Sequence, residues 1–115
     1  MAYTLQQLTD IELIKVLKHR YFRGIDTADM ALLGTLFTDD VTIDYRGGDY
    51  RVVLAGRADM LTFLVNSFHS GAAAMHHGHM PEITLTSDHE AEGVWYLEDI
   101  FLDLERGGHT FGSAI

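Results

Sequence analysis

Ala91-Glu-Gly-Val-Trp-Tyr-Leu-Glu-Asp-Ile-Phe-Leu-Asp-Leu104 is an unbroken run in strand-forming residues. Successive side chains of a strand alternate between faces, which puts Val94, Tyr96, Ile100, Leu102 and Leu104 on one side and Trp95, Leu97, Asp99 and Phe101 on the other. Both faces are largely apolar. A sheet of this kind needs a layer against each face, for example helices on one side and a partner subunit on the other. Ser87-Asp-His-Glu90 and Glu105-Arg-Gly-Gly108 read as turns, so His76–Thr86 and Thr110–Ile115 join the central run in an antiparallel meander.

Upstream the pattern changes from strands to helices. Thr9-Asp-Ile-Glu12 has the spacing of a capping box and predicts a helix start. Ile11, Ile14, Leu17, Tyr21 and Ile25 then recur at helical spacing, with Lys15, Lys18 and Arg23 on the opposite side and Gly24 suited to ending the helix. Asp29–Phe37 predicts a second short helix, and Met60, Phe63, Leu64 and Phe68 a third over Asp59–Phe68. Val41–Tyr45 and Tyr50–Leu54 alternate around Arg46-Gly-Gly-Asp49, giving a β-hairpin between the helices. Helices first and sheet last indicate an α+β fold.

With 115 residues, a single proline and no linker-like stretch, one domain spanning the chain is expected. The formal net charge of −9, with the basic residues scattered, argues against nucleic acid as a partner. No apolar run reaches the length of a membrane span and the first residues lack signal-peptide character, so a cytoplasmic protein without membrane partners is expected. The absence of cysteine removes thiolate and Cys-zinc chemistry. Neither a phosphate loop nor a nucleophile elbow is present, and no cofactor is implied.

Four residues stand out chemically. Asp26 follows the first helix, where it can enter the apolar interior or simply cap the second helix. Tyr21 lies five residues earlier, about 140° away around a continuous helix, so the two converge only if Gly24 breaks it. Asp99 shares its strand face with Trp95, Leu97 and Phe101, where a carboxylate must be paired, protonated or beside a cavity; a bulge or solvated edge is the alternative. Glu98 on the other face poses the same difficulty. Met75-His-His-Gly-His-Met80 supplies imidazoles, which serve as acid, base or ligand near neutral pH. His77 and His79 share a face, but Glu82 falls one residue early and no second ligand motif follows, so no metal site is expected.

Tyr21-Phe-Arg-Gly-Ile-Asp26, Leu36-Phe-Thr-Asp-Asp-Val41, Gly56, Met75-His-His77, Ile83, Ala91 and Trp95 together resemble the SnoaL-like branch of the nuclear transport factor 2-like superfamily. The resemblance runs from about Thr9 to Ile115. It implies an α+β cone, with a curved antiparallel sheet wrapped around helices, a deep apolar pocket and dimerisation through the sheet. Tyr21, Asp26, His76 and Asp99 also keep the spacing of the bile acid 7α-dehydratase pattern, and scytalone dehydratase is another relative of this kind. By this resemblance, they would form the catalytic set of a cofactor-independent lyase, with a polyketide cyclase, an isomerase or a silent binding domain as alternatives on the same fold. Phe22, Met60, Phe63, Leu64, Met80, Trp95 and Phe101 are expected to shape the pocket for a small hydrophobic ligand, and the partner expected at the sheet is a second copy. Members of this branch continue beyond Gly112-Ser-Ala-Ile115 into a further strand, so an open sheet edge is expected here.

Overall fold

The computed structural model describes residues 2–114. Three helices, α1 (Leu5–Asp26), α2 (Met30–Gly34) and α3 (Arg57–Ser67), pack with a hairpin of β1 (Thr42–Gly47) and β2 (Tyr50–Ala55) and a sheet of β3 (Ala72–Leu85), β4 (Ala91–Asp103) and β5 (His109–Ala114). The larger sheet has the order β3-β4-β5, antiparallel throughout, so the α+β meander predicted from the sequence is present. Among the described residues no helix is long and apolar enough to cross a membrane.

Helix α1 departs from the sequence reading at both ends. It starts one turn earlier than Thr9, because Thr4-Leu-Gln-Gln7 supplies its own capping box. The Gln7 N–H donates to Thr4 Oγ1 at 3.1 Å, and the Thr4 N–H to Gln7 Oε1 at 2.9 Å. Thr9 lies inside the helix, where its hydroxyl donates back to the Leu5 carbonyl. Gly24 does not end the helix either. It is buried within it, and a Cβ there would come within 2.7 Å of Leu33 Cδ2, so its service is close approach of α1 to α2. The stop comes at Asp26. Ala28 takes the left-handed conformation (φ 53°), the Asp29 N–H bonds the Gly24 carbonyl at 2.8 Å, and the Ala28 N–H bonds that of Ile25. This is a Schellman closure with alanine where glycine is usual. Asp29 also caps α2, accepting from the Leu32 N–H, so the capping role open to Asp26 belongs to Asp29.

The buried core is Phe22, Ile25, Leu33, Met60 and Leu64, drawn from all three helices, with Leu97 of the sheet packed against it. Strand β4 alternates as expected, with Ile100 half-buried as the one departure. Trp95, Leu97, Asp99 and Phe101 are half-buried toward the helices, while Val94, Tyr96, Glu98 and Leu102 are exposed on the far side. Glu98 is thereby solvated, which removes the difficulty it posed. Irregularity sits in β3 instead, where one extra residue between His79 and Glu82 forms a bulge with Met80 at φ 49°. Strand β5 is an open edge with every residue exposed, and the sheet does not close into a full cone.

The closure of α1 generates a paired expectation. Ala28→Gly should raise stability by about 1 kcal/mol, since alanine is strained in the left-handed region. Gly24→Ala should lower it by about 1–3 kcal/mol, although alanine is the better helix former, because Leu33 has no room to yield. Urea unfolding followed by circular dichroism reads both; a stabilised Gly24→Ala would contradict the packing argument.

Candidate active site

Helix α1 delivers Asp26 at its last residue, directly against strand β3. Asp26 Oδ1 lies 2.6 Å from His76 Nδ1, and Asp26 Oδ2 accepts the His76 backbone N–H at 3.1 Å. One carboxylate thus holds both the main chain and the ring of the same histidine. The N–H is free to do this because β3 is the edge strand of its sheet and pairs only with β4. The His76 side chain is 10% exposed and that of Asp26 is 22% exposed.

Aromatic rings fix the imidazole on two sides. Phe22 stacks on it at 5.9 Å and 8°, and Phe68 meets it edge-on at 5.6 Å. Phe22 reaches this position by lying on Gly78, where a Cβ would stand 2.6 Å from Phe22 Cε2. Across the sheet His76 is in register with Asp99. His76 Nε2 and Asp99 Oδ2 are 4.0 Å apart, too far for a hydrogen bond, so this nitrogen has no direct partner while the other is held by Asp26.

Tyr21 occupies a different position from the one its spacing suggested. Because α1 continues through Gly24, Tyr21 and Asp26 point in different directions, and the Tyr21 hydroxyl bonds the hydroxyl of Tyr45 on β1 at 2.7 Å. Phe22 separates this phenol pair from the imidazole, standing 5.7 Å from Tyr21. Burial pushes the Tyr21 pKa far up, and charge repulsion and the hydrogen bond with Tyr45 push it further. Burial also raises that of Tyr45, opposed by its hydrogen bond to Tyr21. Two hydroxyls sharing one hydrogen bond leave one O–H free to donate elsewhere.

The expected lining residues divide. Phe22 contacts His76, Phe101 stands 6.2 Å from Phe68, Phe63 stands 5.7 Å from Tyr45, and Trp95 is half-buried on the same sheet face. Met60 and Leu64 lie in the sealed core instead. Met80 is 75% exposed at the bulge and lines neither cleft. The volume beside the Asp–His pair is an open groove of about 500 Å³, reached past His19, Arg23, His77 and His79, rather than the deep pocket expected. Among the described residues no group of three or more His, Asp or Glu is arranged to hold a metal ion.

Sequence reasoning missed Tyr45 and Lys18. Tyr45 could have been found from its alternation with Ile43 on the inward side of β1. Lys18 was assigned to the outer face, but it lies three residues before Tyr21 and four after Ile14, on the helix stripe that turns inward.

Comparison with protein families matches the SnoaL-like domain over residues 6–114. The chain belongs to the SnoaL-like family. Its fold is shared by a candidate scytalone dehydratase from Novosphingobium aromaticivorans, with a TM-score of 0.78 at 19% identity over 94% of this chain and 72% of that one. A candidate dehydratase of the NTF2-like family from Streptomyces avermitilis superposes with a TM-score of 0.57 at 13% identity, over 90% and 91% of the two chains. At these identities the likeness speaks for the SnoaL-like architecture.

The phenol pair predicts alkaline lability. Both folded pKa values are raised above the unfolded one, so the native state keeps protons that the unfolded chain releases. The associated stability is present below about pH 10 and lost as pH rises toward the folded values. Urea midpoints should fall in that range, less so in Tyr21→Phe/Tyr45→Phe. Simultaneous ionisation of all five tyrosines near their ordinary value would refute this.

Proposed function

We propose that the chain is a lyase of the dehydratase type, acting on a small hydrophobic hydroxylated or ketonic molecule without a cofactor. The observation that carries this reading is the Asp26–His76 contact of 2.6 Å with His76 Nε2 left without a direct partner. With the Nδ1 proton donated to Asp26, Nε2 offers its lone pair as a general base, and the carboxylate stabilises the imidazolium that forms. His76 takes a proton from the carbon beside the one bearing the hydroxyl, the electron pair forms the new double bond, and the C–O bond breaks. The departing hydroxide takes the proton held on His76 and leaves as water, which restores the base, while the free O–H of the Tyr21/Tyr45 pair, on the other side of Phe22, donates a hydrogen bond to a substrate oxygen. Asp99, on the far side of Nε2, holds a second polar group of the substrate.

The same acid and base support ring closure or isomerisation of a ketonic substrate. The open groove favours one non-enzymatic reading, a ligand-binding module in which water reaches the pair freely. The experiment that separates them is a screen of hydroxylated aromatic and alicyclic ketones for products with new conjugated absorbance. His76→Ala and Asp26→Asn should each lower turnover by at least about 100-fold with the fold intact by circular dichroism. Full activity in His76→Ala would remove the mechanism.

The assembly that fits this reading is a homodimer through the outer sheet face, where Met75, Val94, Tyr96, Leu102 and Phe111 are 40–71% exposed. Light scattering at micromolar concentration should give twice the chain mass, and Tyr96→Asp should reduce it to one. A monomeric wild type would refute the assembly.

A further inference from the structure

Lys18 is one of only two lysines in the chain and the one whose ammonium lies among aromatic rings. Its Nζ stands 5.2 Å from the Tyr21 centroid, 5.0 Å from Phe22 and 5.3 Å from Trp95. Three rings stabilise a cation through their negative faces but accept none of its N–H bonds in the ordinary sense. The ion pairs of the described residues involve Lys15, Arg46, Arg51, Arg57, His76 and His79, and none involves Lys18. Burial lowers its pKa from the ordinary lysine value, so the site disfavours the bare charge. In a chain carrying seventeen acidic residues, this half-buried ammonium has no carboxylate partner among the described residues, and of the cations without one it is the one held among aromatic rings.

Position gives this cation its meaning. Phe22 is the shared wall, with Lys18 near its ring and His76 stacked on it, so ammonium and imidazole are no more than about 11 Å apart. Trp95 in turn lines a second cleft of about 490 Å³ together with Leu13, Ile14 and Leu17 and the acidic residues Asp10, Asp88, Glu90 and Glu92. Those carboxylates repel anions from that cleft, whereas the groove beside His76 carries Arg23 and His19 and attracts them.

We infer that Lys18, in its Tyr21/Phe22/Trp95 cage, binds the carboxylate or other anionic oxygen of the substrate, whose apolar body extends along Phe22 toward His76. This rests on the dehydratase-type reading for the direction of the body, and it narrows the substrate class to acids rather than neutral alcohols or ketones. The cage supplies the selectivity, since flat rings exclude water from one side of the ammonium and strengthen its bond to an oxyanion on the other.

The test uses 2-naphthoate and its neutral counterpart 2-naphthalenemethanol as probes, with the full chain labelled at lysine Cε. Only two lysine signals have to be assigned. With naphthoate the Lys18 signal should shift saturably and its pKa should rise, while Lys15 stays in place and the alcohol leaves both unmoved. Lys18→Met should weaken naphthoate binding by about tenfold or more, and Lys18→Arg should retain it. An unmoved Lys18 signal, an equal response to acid and alcohol, or undiminished naphthoate affinity in Lys18→Met would each overturn the inference. Repeating the titration in His76→Ala separates the two claims: binding should persist there because no proton transfer is involved, whatever that variant does to turnover.

Discussion

Asp26 meets His76 twice, once at the backbone N–H and once at the ring, and this double contact joins the helical half of the molecule to the sheet. A hydrogen bond to a half-buried carboxylate is worth more than one between neutral groups, and two from one acid fix direction as well as distance. The helix must therefore end where it does. Ile25, 3% exposed, seats the last turn in the core, and Ala28 reverses the chain immediately afterwards. Shifting the end of α1 by one residue would rotate the carboxylate by about 100° and release both bonds.

Phe22 is the second constraint, because it belongs to the core, the imidazole stack and the lysine cage at once. Gly78 permits this by leaving the sheet surface bare beneath the ring. Rigidity at such a point favours an imidazole that keeps its geometry without a bound ligand. The phenol pair sits on the other side of the same ring, so phenol, imidazole and ammonium are arranged around one phenyl group.

Much of the architecture was legible in the sequence. The two-faced apolar run of β4, the turns on either side and the hairpin around Gly48 are written in residue types whose local preferences agree with the fold. The helix ends were less legible, because Thr9-Asp-Ile-Glu12 and Thr4-Leu-Gln-Gln7 satisfy the same local rule and Gly24 looks like a stop while serving as a gap for Leu33. At the site, the Asp26–His76 and His76–Asp99 neighbours follow the spacing that carried the family resemblance. Tyr45 and Lys18 escaped because their importance comes from contacts between distant elements, which periodicity within one element does not encode.

The bulge at Met80 makes β3 a strand of two halves. Before it the even-numbered residues, His76 among them, turn toward the helices, and after it the odd-numbered residues Ile83 and Leu85 do so. Conformation there is consequently more constrained than chemistry: many side chains would serve at an exposed kink, yet flattening the bulge with its extra residue kept would turn Glu82 and Thr84 inward and expose Ile83 and Leu85 to water, whereas losing that one residue would leave a regular strand with both still inward. Evolution of this strand should accordingly tolerate loss of the one extra residue at the bulge far more readily than a one-residue deletion anywhere else along it.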